Sequence, residues 1–154
     1  MSGDERGPDV ATNRAARYSY EIVETFEVGI VLAGTEVKSL RDGKARLQDS
    51  YAAIEDGEVY LRGAYIPPYP PARDNHEPER ARKLLMHRWV IERLIGRMQR
   101  KGLTLIPTRI YFKGKRAKVE LALARGKQQQ DKRRQIRDRD VARDIEREVK
   151  QRNR

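Results

Sequence analysis

The sequence has few of the residues that build cross-links, metal sites or membrane spans. None of its 154 residues is a cysteine, and only two, His76 and His87, are histidines. Disulfide bridges and thiolate zinc sites are therefore excluded, and a site made of several histidines is disfavoured. No apolar run approaches the ~20 residues of a membrane-spanning helix, and the first residues lack an apolar signal segment. We expect one domain with tails, no cofactor or metal, and a cytoplasmic location without membrane contact.

Positive charge is what the chain has in excess. Lys and Arg total 34 against 23 Asp and Glu, for a formal net charge of +11. Residues 113–154 hold 16 basic and 7 acidic residues, whereas residues 1–112 carry a net charge of only +2. This asymmetry indicates a polyanionic partner for the C-terminal part. A membrane surface is the rival polyanion, but the segment lacks the Trp, Phe and Leu face of an interfacial helix, so nucleic acid is favoured.

The segment Gly34–Arg41 places a carboxylate and an ammonium two residues apart. It follows an apolar run over residues 29–32 and precedes the turn signal Asp42-Gly43. If the segment is a strand, Glu36 and Lys38 lie on one face. A carboxylate in a basic RNA-binding protein is useful where it accepts hydrogen bonds from base edges. The alternative is a solvated strand with a surface ion pair of ~0–1 kcal/mol.

Period-two patterns and turn signals predict strands and two hairpins elsewhere. A strand runs from Tyr18 to about Leu32, with Gly29 at a bulge or corner. Residues 50–55 and 58–62 flank Asp56-Gly57, a dipeptide typical of a type I′ turn. Residues 103–112 and 116–125 form a second hairpin, whose final strand points Ala117, Val119, Leu121 and Leu123 inward and Ala122 outward. The prolines of residues 67–71 exclude that segment from a sheet.

A helical period spans residues 80–101, with His87 on the apolar side and Gly102 as the C-terminal cap. We therefore predict a disordered segment over residues 1–13 and an antiparallel β-barrel of the oligonucleotide-binding type over residues 14–126. A flat sheet carrying one helix is the competing architecture. Residues 127–154 form a basic tail that we expect to be disordered when free and helical when bound to a polyanion.

Several segments, taken together and in order, resemble the SsrA-binding protein family (small protein B), which binds transfer-messenger RNA. The resemblance runs from about Asn13 to Arg133. The matching blocks are residues 34–41, 56–58, 82–87, 102–107, 110–112 and 124–127, followed by Asp131-Lys132-Arg133. Any one block is weak, but the ordered series is specific.

This resemblance implies a six-stranded barrel with about three peripheral helices. It also implies a monomeric, non-enzymatic protein that binds the elbow of the tRNA-like domain of transfer-messenger RNA. The complex would rescue stalled ribosomes by trans-translation, with the tail folding as a helix in the empty message channel beside the decoding centre.

By position, the resemblance assigns two sets of residues. The implied RNA contacts are Asn13, Arg14, Tyr18, Glu36, Lys38, Arg41, Arg82, Lys83 and His87. The implied ribosome-facing tail residues are Lys127, Asp131, Lys132, Arg133, Arg134 and Arg137. Many members carry Arg-His-Asp-Tyr before the first strand, whereas this chain has Arg17-Tyr18-Ser19-Tyr20. Tyr18 can still stack on a base, but it cannot be protonated.

Two other functions remain open from the sequence. A generic single-stranded nucleic-acid binder of the same fold would stack bases on exposed aromatic residues, and Tyr18, Tyr20, Tyr51 and Tyr60 are candidates. A nuclease would need clustered carboxylates to hold a metal pair. The acidic residues mostly accompany basic ones along the sequence, so the nuclease is disfavoured.

Overall fold

The computed structural model describes residues 6–126, and the implied tail residues Lys127, Asp131, Lys132, Arg133, Arg134 and Arg137 lie outside this range. Strands are the predominant regular structure of the described chain, which also has three helices. In order, the elements are β1 (Arg6–Thr12), α1 (Arg14–Ser19), β2 (Tyr20–Ile30), α2 (Gly34–Arg41), β3 (Tyr51–Glu55), β4 (Glu58–Arg62), β5 (Arg82–Leu85), α3 (Arg88–Lys101), β6 (Leu103–Lys113) and β7 (Arg116–Gly126).

All seven strands belong to one antiparallel sheet. Its order is β1-β6-β3-β4-β5-β2-β7, and β6 also pairs with β7. The main core lies on one side of this sheet and includes Val59, Leu61, Leu105, Val119 and Leu121, all fully buried. The prediction of a sheet-dominated fold with about three helices is confirmed.

Both predicted hairpins are present. Between β3 and β4, Asp56 and Gly57 have φ angles of 54° and 78°, the two positive values that a type I′ turn requires. Between β6 and β7, Lys113 pairs with Arg116 across the turn. Ala122 lies on the face of β7 opposite Leu121 and Leu123, as predicted, but that face is covered and Ala122 is fully buried. It packs with Ala16, Ile106 and Ala124 in a second apolar cluster beneath α1.

Four segments differ from the sequence predictions. Tyr18 and Ser19 end α1 rather than begin the first predicted strand, which starts at Tyr20. The expected disorder over residues 1–13 is wrong for Arg6–Thr12, which form β1 against β6. Residues 34–41 form a helix rather than a strand, because Val37 and Leu40 are three residues apart and share a face only in a helix. Residues 82–85 form β5 rather than helix, because Arg82 and Leu84 alternate into the core while β4 and β2 pair with them.

The helical prediction holds for Arg88–Lys101. Ile91 and Leu94 are buried on its apolar side, and Gly102 ends it with a left-handed φ of 62°. His87 precedes this helix as an exposed residue. The prediction that His87 lies on the core side of a helix is therefore wrong, because the chain is extended up to that point.

Candidate nucleic-acid interface

The carboxylate of Glu36 is fully buried beneath α2 rather than presented at the surface. It accepts hydrogen bonds from Arg80 Nη2 at 2.6 Å, from Arg82 Nε at 2.8 Å and from the Ala33 backbone N–H at 2.7 Å. Glu36 is the third residue of α2, and its bond to Ala33 closes the start of the helix. Both carboxylate oxygens therefore accept hydrogen bonds from within the protein, and neither is exposed to solvent.

Arg82 completes the same network from β5 and is also fully buried. Its Nη1 donates to the Ala64 carbonyl at 2.7 Å, and its Nη2 donates to the Pro78 carbonyl at 2.9 Å. The guanidinium therefore joins β5 to two loop segments and to α2. Arg82, like Glu36, supports the surface from beneath rather than forming part of it.

Burial and ion pairing shift the pKa values of Glu36 and Arg82 in opposite directions. Burial raises the pKa of Glu36, but hydrogen bonds from Arg80, Ala33 and Arg82 outweigh it, so the net pKa lies below the ordinary carboxyl value. Burial lowers the pKa of Arg82, while Glu36 opposes the shift. Both groups are charged at neutral pH.

The depressed pKa of Glu36 predicts a loss of stability in acid. Glu36 makes its full contribution to the free energy of unfolding above the pKa of a carboxyl group in the unfolded chain, about 4.3. That contribution is lost as the pH falls through the lower pKa that Glu36 has in the folded protein. We expect urea unfolding between pH 5 and pH 2 to show a larger loss for the native chain than for Glu36→Gln, which does not titrate. Parallel curves for the two proteins would show that Glu36 is not linked to acid unfolding.

The exposed side of α2 carries two of the implied RNA contacts. Lys38 Nζ lies 5.8 Å from the centre of the Tyr69 ring, and Arg41 Cζ lies 4.0 Å from the centre of the Phe112 ring. Both cations rest on aromatic faces while remaining exposed. This geometry restrains two positive charges on one helix, where a phosphate can reach them.

The proline-containing loop that follows β4 is attached to α2. Ser39 Oγ donates to the Pro67 carbonyl at 2.7 Å, and Thr35 Oγ1 lies 2.8 Å from His76 Nδ1. The other ring nitrogen of His76 lies 2.8 Å from the Ile66 carbonyl oxygen. These contacts place Tyr69 of the loop beneath Lys38, so the loop shapes the α2 surface.

Lys83 and His87 lie together on a second part of the surface. They line a cleft of about 360 Å³ with Glu58, Leu84, Leu85 and Met86. Lys83 Nζ is 3.6 Å from the Glu58 carboxylate, an exposed pair that contributes little to stability. Lys83 and Arg82 are neighbours on β5 but point to opposite faces, so one is accessible and the other is not.

Asn13 and Arg14 lie at the start of α1, away from the Glu36 network. Asn13 is almost fully buried, and its Nδ2 donates to the Pro107 carbonyl at 2.9 Å, which attaches α1 to β6. Arg14 is exposed and lines a cleft of about 300 Å³ with Arg17 and Arg109. Tyr18 is 79% exposed at the other end of α1, where a base could stack on its ring.

The sequence reasoning did not identify Arg80 or Tyr69 as parts of this surface. Arg80 holds the buried carboxylate and Tyr69 supports Lys38. The alternation of Arg80 and Arg82 was the available signal, since two basic residues separated by one residue share a face of an extended segment. The role of Tyr69 depends on loop packing, for which the sequence carries no period.

The described residues offer no sign of a metal centre or a membrane span. No group of three or more His, Asp or Glu side chains within residues 6–126 could hold a metal ion. Within the same range, no helix is long and apolar enough to cross a membrane.

Comparison with known proteins gives concordant results. The model of the SmpB protein family matches residues 10–151. The SsrA-binding protein of Pelotomaculum thermopropionicum is 54% identical over 146 residues, covering 94% of this chain and 95% of the relative. That of Corynebacterium jeikeium is 55% identical over 141 residues, covering 91% of this chain and 77% of the relative.

Several solved structures match this chain, and one of them is similar in both sequence and fold. It is described as "tmRNA-SmpB: a journey to the center of the bacterial ribosome" and is 53% identical, with a TM-score of 0.64. The match covers 77% of this chain and 84% of the other.

Proposed function

Because the chain belongs to the SmpB protein family, we propose that it binds the tRNA-like domain of transfer-messenger RNA and delivers that RNA to stalled ribosomes for trans-translation. The observation that carries this proposal is relatedness along nearly the whole chain, to curated proteins named SsrA-binding proteins. The structure described as tmRNA-SmpB in the bacterial ribosome supports the same partners. In this role the protein is monomeric, acts in the cytoplasm and catalyses no reaction, since the ribosome performs the chemistry.

The strand pairings support a closed barrel as the scaffold for this function. Starting at β6, the pairs run through β3, β4, β5, β2 and β7, and β7 pairs again with β6. This series contains six strands, with β1 added outside it on β6. A six-stranded barrel of the oligonucleotide-binding type accounts for these pairings, whereas a flat sheet would leave β6 and β7 at separate positions.

Burial divides the nine implied RNA-contact residues into two groups. The exposed or half-buried group makes direct contacts in our proposal and consists of Arg14, Tyr18, Lys38, Arg41, Lys83 and His87. The buried group consists of Asn13, Glu36 and Arg82, which position the surface through hydrogen bonds. The tail residues Lys127, Asp131, Lys132, Arg133, Arg134 and Arg137 face the ribosome in this proposal.

One observation favours a second candidate function, a generic single-stranded nucleic-acid binder. Tyr18 and Tyr51 are 79% and 46% exposed, and exposed aromatic rings stack on bases of any sequence. The two functions differ in what they recognise. The family function requires a folded, tRNA-like RNA, whereas the generic function requires only an unpaired strand.

We expect the full chain to bind the tRNA-like domain at least about tenfold more tightly than an unstructured RNA of the same length, measured at the same salt concentration. Lys38→Ala should weaken this binding and lower the slope of log affinity against log salt by about 1, because one phosphate contact is lost. Fluorescence anisotropy at several salt concentrations measures both quantities. Equal affinity for the two RNAs would favour the generic binder.

Lys115→Ala is the matched control for Lys38→Ala. Lys115 is exposed in the turn between β6 and β7. Its replacement by alanine removes the same charge from a position outside the proposed interface. An equal loss from both variants would mean that only the total charge matters. A loss confined to Lys38→Ala would support a defined RNA surface on α2.

A further inference from the structure

A cleft of about 510 Å³ lies between α1, the start of β3, the start of β6 and the end of β7. Its lining includes Ala16 and Ile106, whose exposed fractions are only 2% and 1%, so its floor is apolar. The volume falls within the range typical of sites for small organic molecules. None of the nine implied RNA contacts except Asn13 lines this cleft.

Two tyrosines contribute to the walls. Tyr51 begins β3 and is 46% exposed. Tyr20 begins β2, and a β-carbon built on Gly126 would lie 3.7 Å from Tyr20 Cε1, so this ring packs against the end of β7. Rings beside an apolar floor favour a flat aromatic ligand, which can stack on a tyrosine face.

Asp49 supplies the one carboxylate among the residues that line the cleft. Within residues 6–126, no ion pair or hydrogen bond occupies its carboxylate, and the residue is exposed. Two neighbouring polar groups are already engaged, because Ser50 Oγ donates to the Leu47 carbonyl at 2.6 Å and Asn13 Nδ2 donates to the Pro107 carbonyl. A ligand bound here would therefore meet a hydrogen-bond acceptor.

We propose that this cleft binds an unstacked guanine base of RNA. The guanine would stack on Tyr20 or Tyr51, and the Asp49 carboxylate would accept hydrogen bonds from its N1–H and its N2 amino group. Among the standard bases, only guanine presents two adjacent donors on its Watson–Crick edge. Adenine offers one donor beside an acceptor, cytosine offers only its amino group, and uracil a single N–H. The inference rests on the proposed RNA-binding function and deepens it.

Electrostatics is consistent with a base rather than a phosphate at Asp49. A carboxylate repels phosphate oxygens, so it favours RNA binding only where it meets donors on a base edge. The backbone of the same nucleotide can be held nearby, because α1 carries the exposed Arg14 and Arg17 and has no acidic residue in its first turn. The cleft and these cations together fit one splayed nucleotide.

Titration of the full chain with guanosine, inosine and adenosine 5′-monophosphates tests the proposal. Amide NMR shifts of Ala16, Tyr51 and Gly126 report occupancy. We expect guanosine monophosphate to bind about tenfold more tightly than adenosine monophosphate, and inosine monophosphate, which lacks the N2 amino group, to fall between them. Equal binding of the three nucleotides, or no shifts at these amides, would overturn the guanine assignment.

Asp49→Asn is the informative variant, because asparagine tolerates the left-handed φ of 67° at this position. It should reduce the affinity for guanosine monophosphate about tenfold and remove the preference over inosine monophosphate. Asp56→Asn is the matched control, since Asp56 is an exposed aspartate with a φ of 54° in a hairpin turn. Unchanged guanine preference in Asp49→Asn would overturn the proposal.

Binding of the tRNA-like domain is measured in parallel, so that two failures can be told apart. If that RNA binds but the nucleotide does not occupy the cleft, the guanine site is wrong and the proposed function stands. If that RNA does not bind, the proposed function itself is wrong. A defect of Asp49→Asn in transfer-messenger RNA affinity identifies that RNA as the source of the guanine. A defect only in ribosome binding identifies ribosomal RNA.

Discussion

Removal of residues 127–154 is expected to abolish peptide tagging on stalled ribosomes while leaving affinity for the tRNA-like domain within about threefold of the full chain. The reason is that different parts of the chain bind the two partners in our proposal. The last strand, β7, ends at Gly126, and all the proposed contacts to transfer-messenger RNA lie within residues 13–87. The removed segment holds 11 basic and 6 acidic residues and is assigned to the ribosome. Tagging in a reconstituted translation reaction and anisotropy with the isolated domain measure the two effects.

A second variant separates the effect of the net charge of residues 127–154 from the effect of their order in the sequence. A tail of identical composition but shuffled sequence keeps the net charge and therefore keeps the non-specific electrostatic attraction. We expect it to bind ribosomes but not to support tagging. Tagging by the truncated chain would contradict the assignment of Lys132, Arg133 and the other tail residues to the ribosome. Tagging by the shuffled chain would show that charge alone suffices.

Glu36→Ala is expected to lower the free energy of unfolding by about 3–5 kcal/mol, because it leaves the buried Arg82 without its counter-charge. The same change removes the hydrogen bond that Glu36 accepts from Ala33 at the start of α2. Since whole domains are stable by only about 5–15 kcal/mol, the loss is a large fraction of the total. Urea unfolding followed by circular dichroism measures it.

Glu55→Ala is the control for this prediction. Glu55 accepts two hydrogen bonds from Arg62, each at 2.7 Å, but this pair is exposed. Exposed pairs contribute little to stability, so we expect little change in the free energy of unfolding. A loss below 1 kcal/mol for Glu36→Ala as well would mean that the buried network is not important for stability.

The double variant Glu36→Leu with Arg82→Met tests what the network does for RNA binding. Replacing both buried charges by apolar groups restores most of the stability, while Arg80, which is partly exposed, can turn to water. If RNA affinity returns with stability, Glu36 acts by positioning the α2 surface. If affinity stays low in the stable double variant, Glu36 or Arg82 contacts the RNA directly and the burial described above changes on binding.

Local signals predicted some elements well. The Asp56-Gly57 turn, the hairpin around residues 113–115 and the glycine cap at Gly102 all depend on a few neighbouring residues, and the structure contains each of them. Their geometry is set by backbone φ angles and by side-chain alternation, which the sequence displays directly. These parts of the fold required no knowledge of distant contacts.

Other elements depended on residues far away along the chain. Gly34–Arg41 has features of both a strand and a helix. The common face of Val37 and Leu40 favours the helix, and the burial of Glu36 within it depends on Arg80 and Arg82, which bring counter-charges from more than 40 residues away. β1 forms because β6 offers it an edge to pair with. Ala122 is buried because α1 covers the outer face of β7.

The sequence by itself determined the identity of the family, the antiparallel hairpins and the separation between a near-neutral body and a basic tail, because these follow from ordered motifs, local periods and charge counts. Only the tertiary structure decided which of the implied RNA contacts reach the surface. It turned Lys38 and Arg41 outward and Glu36, Arg82 and Asn13 inward. The physical reason is that a charged side chain is buried only where ion-pair or hydrogen-bond partners surround it. Those partners come from distant parts of the sequence and are brought together by the tertiary structure.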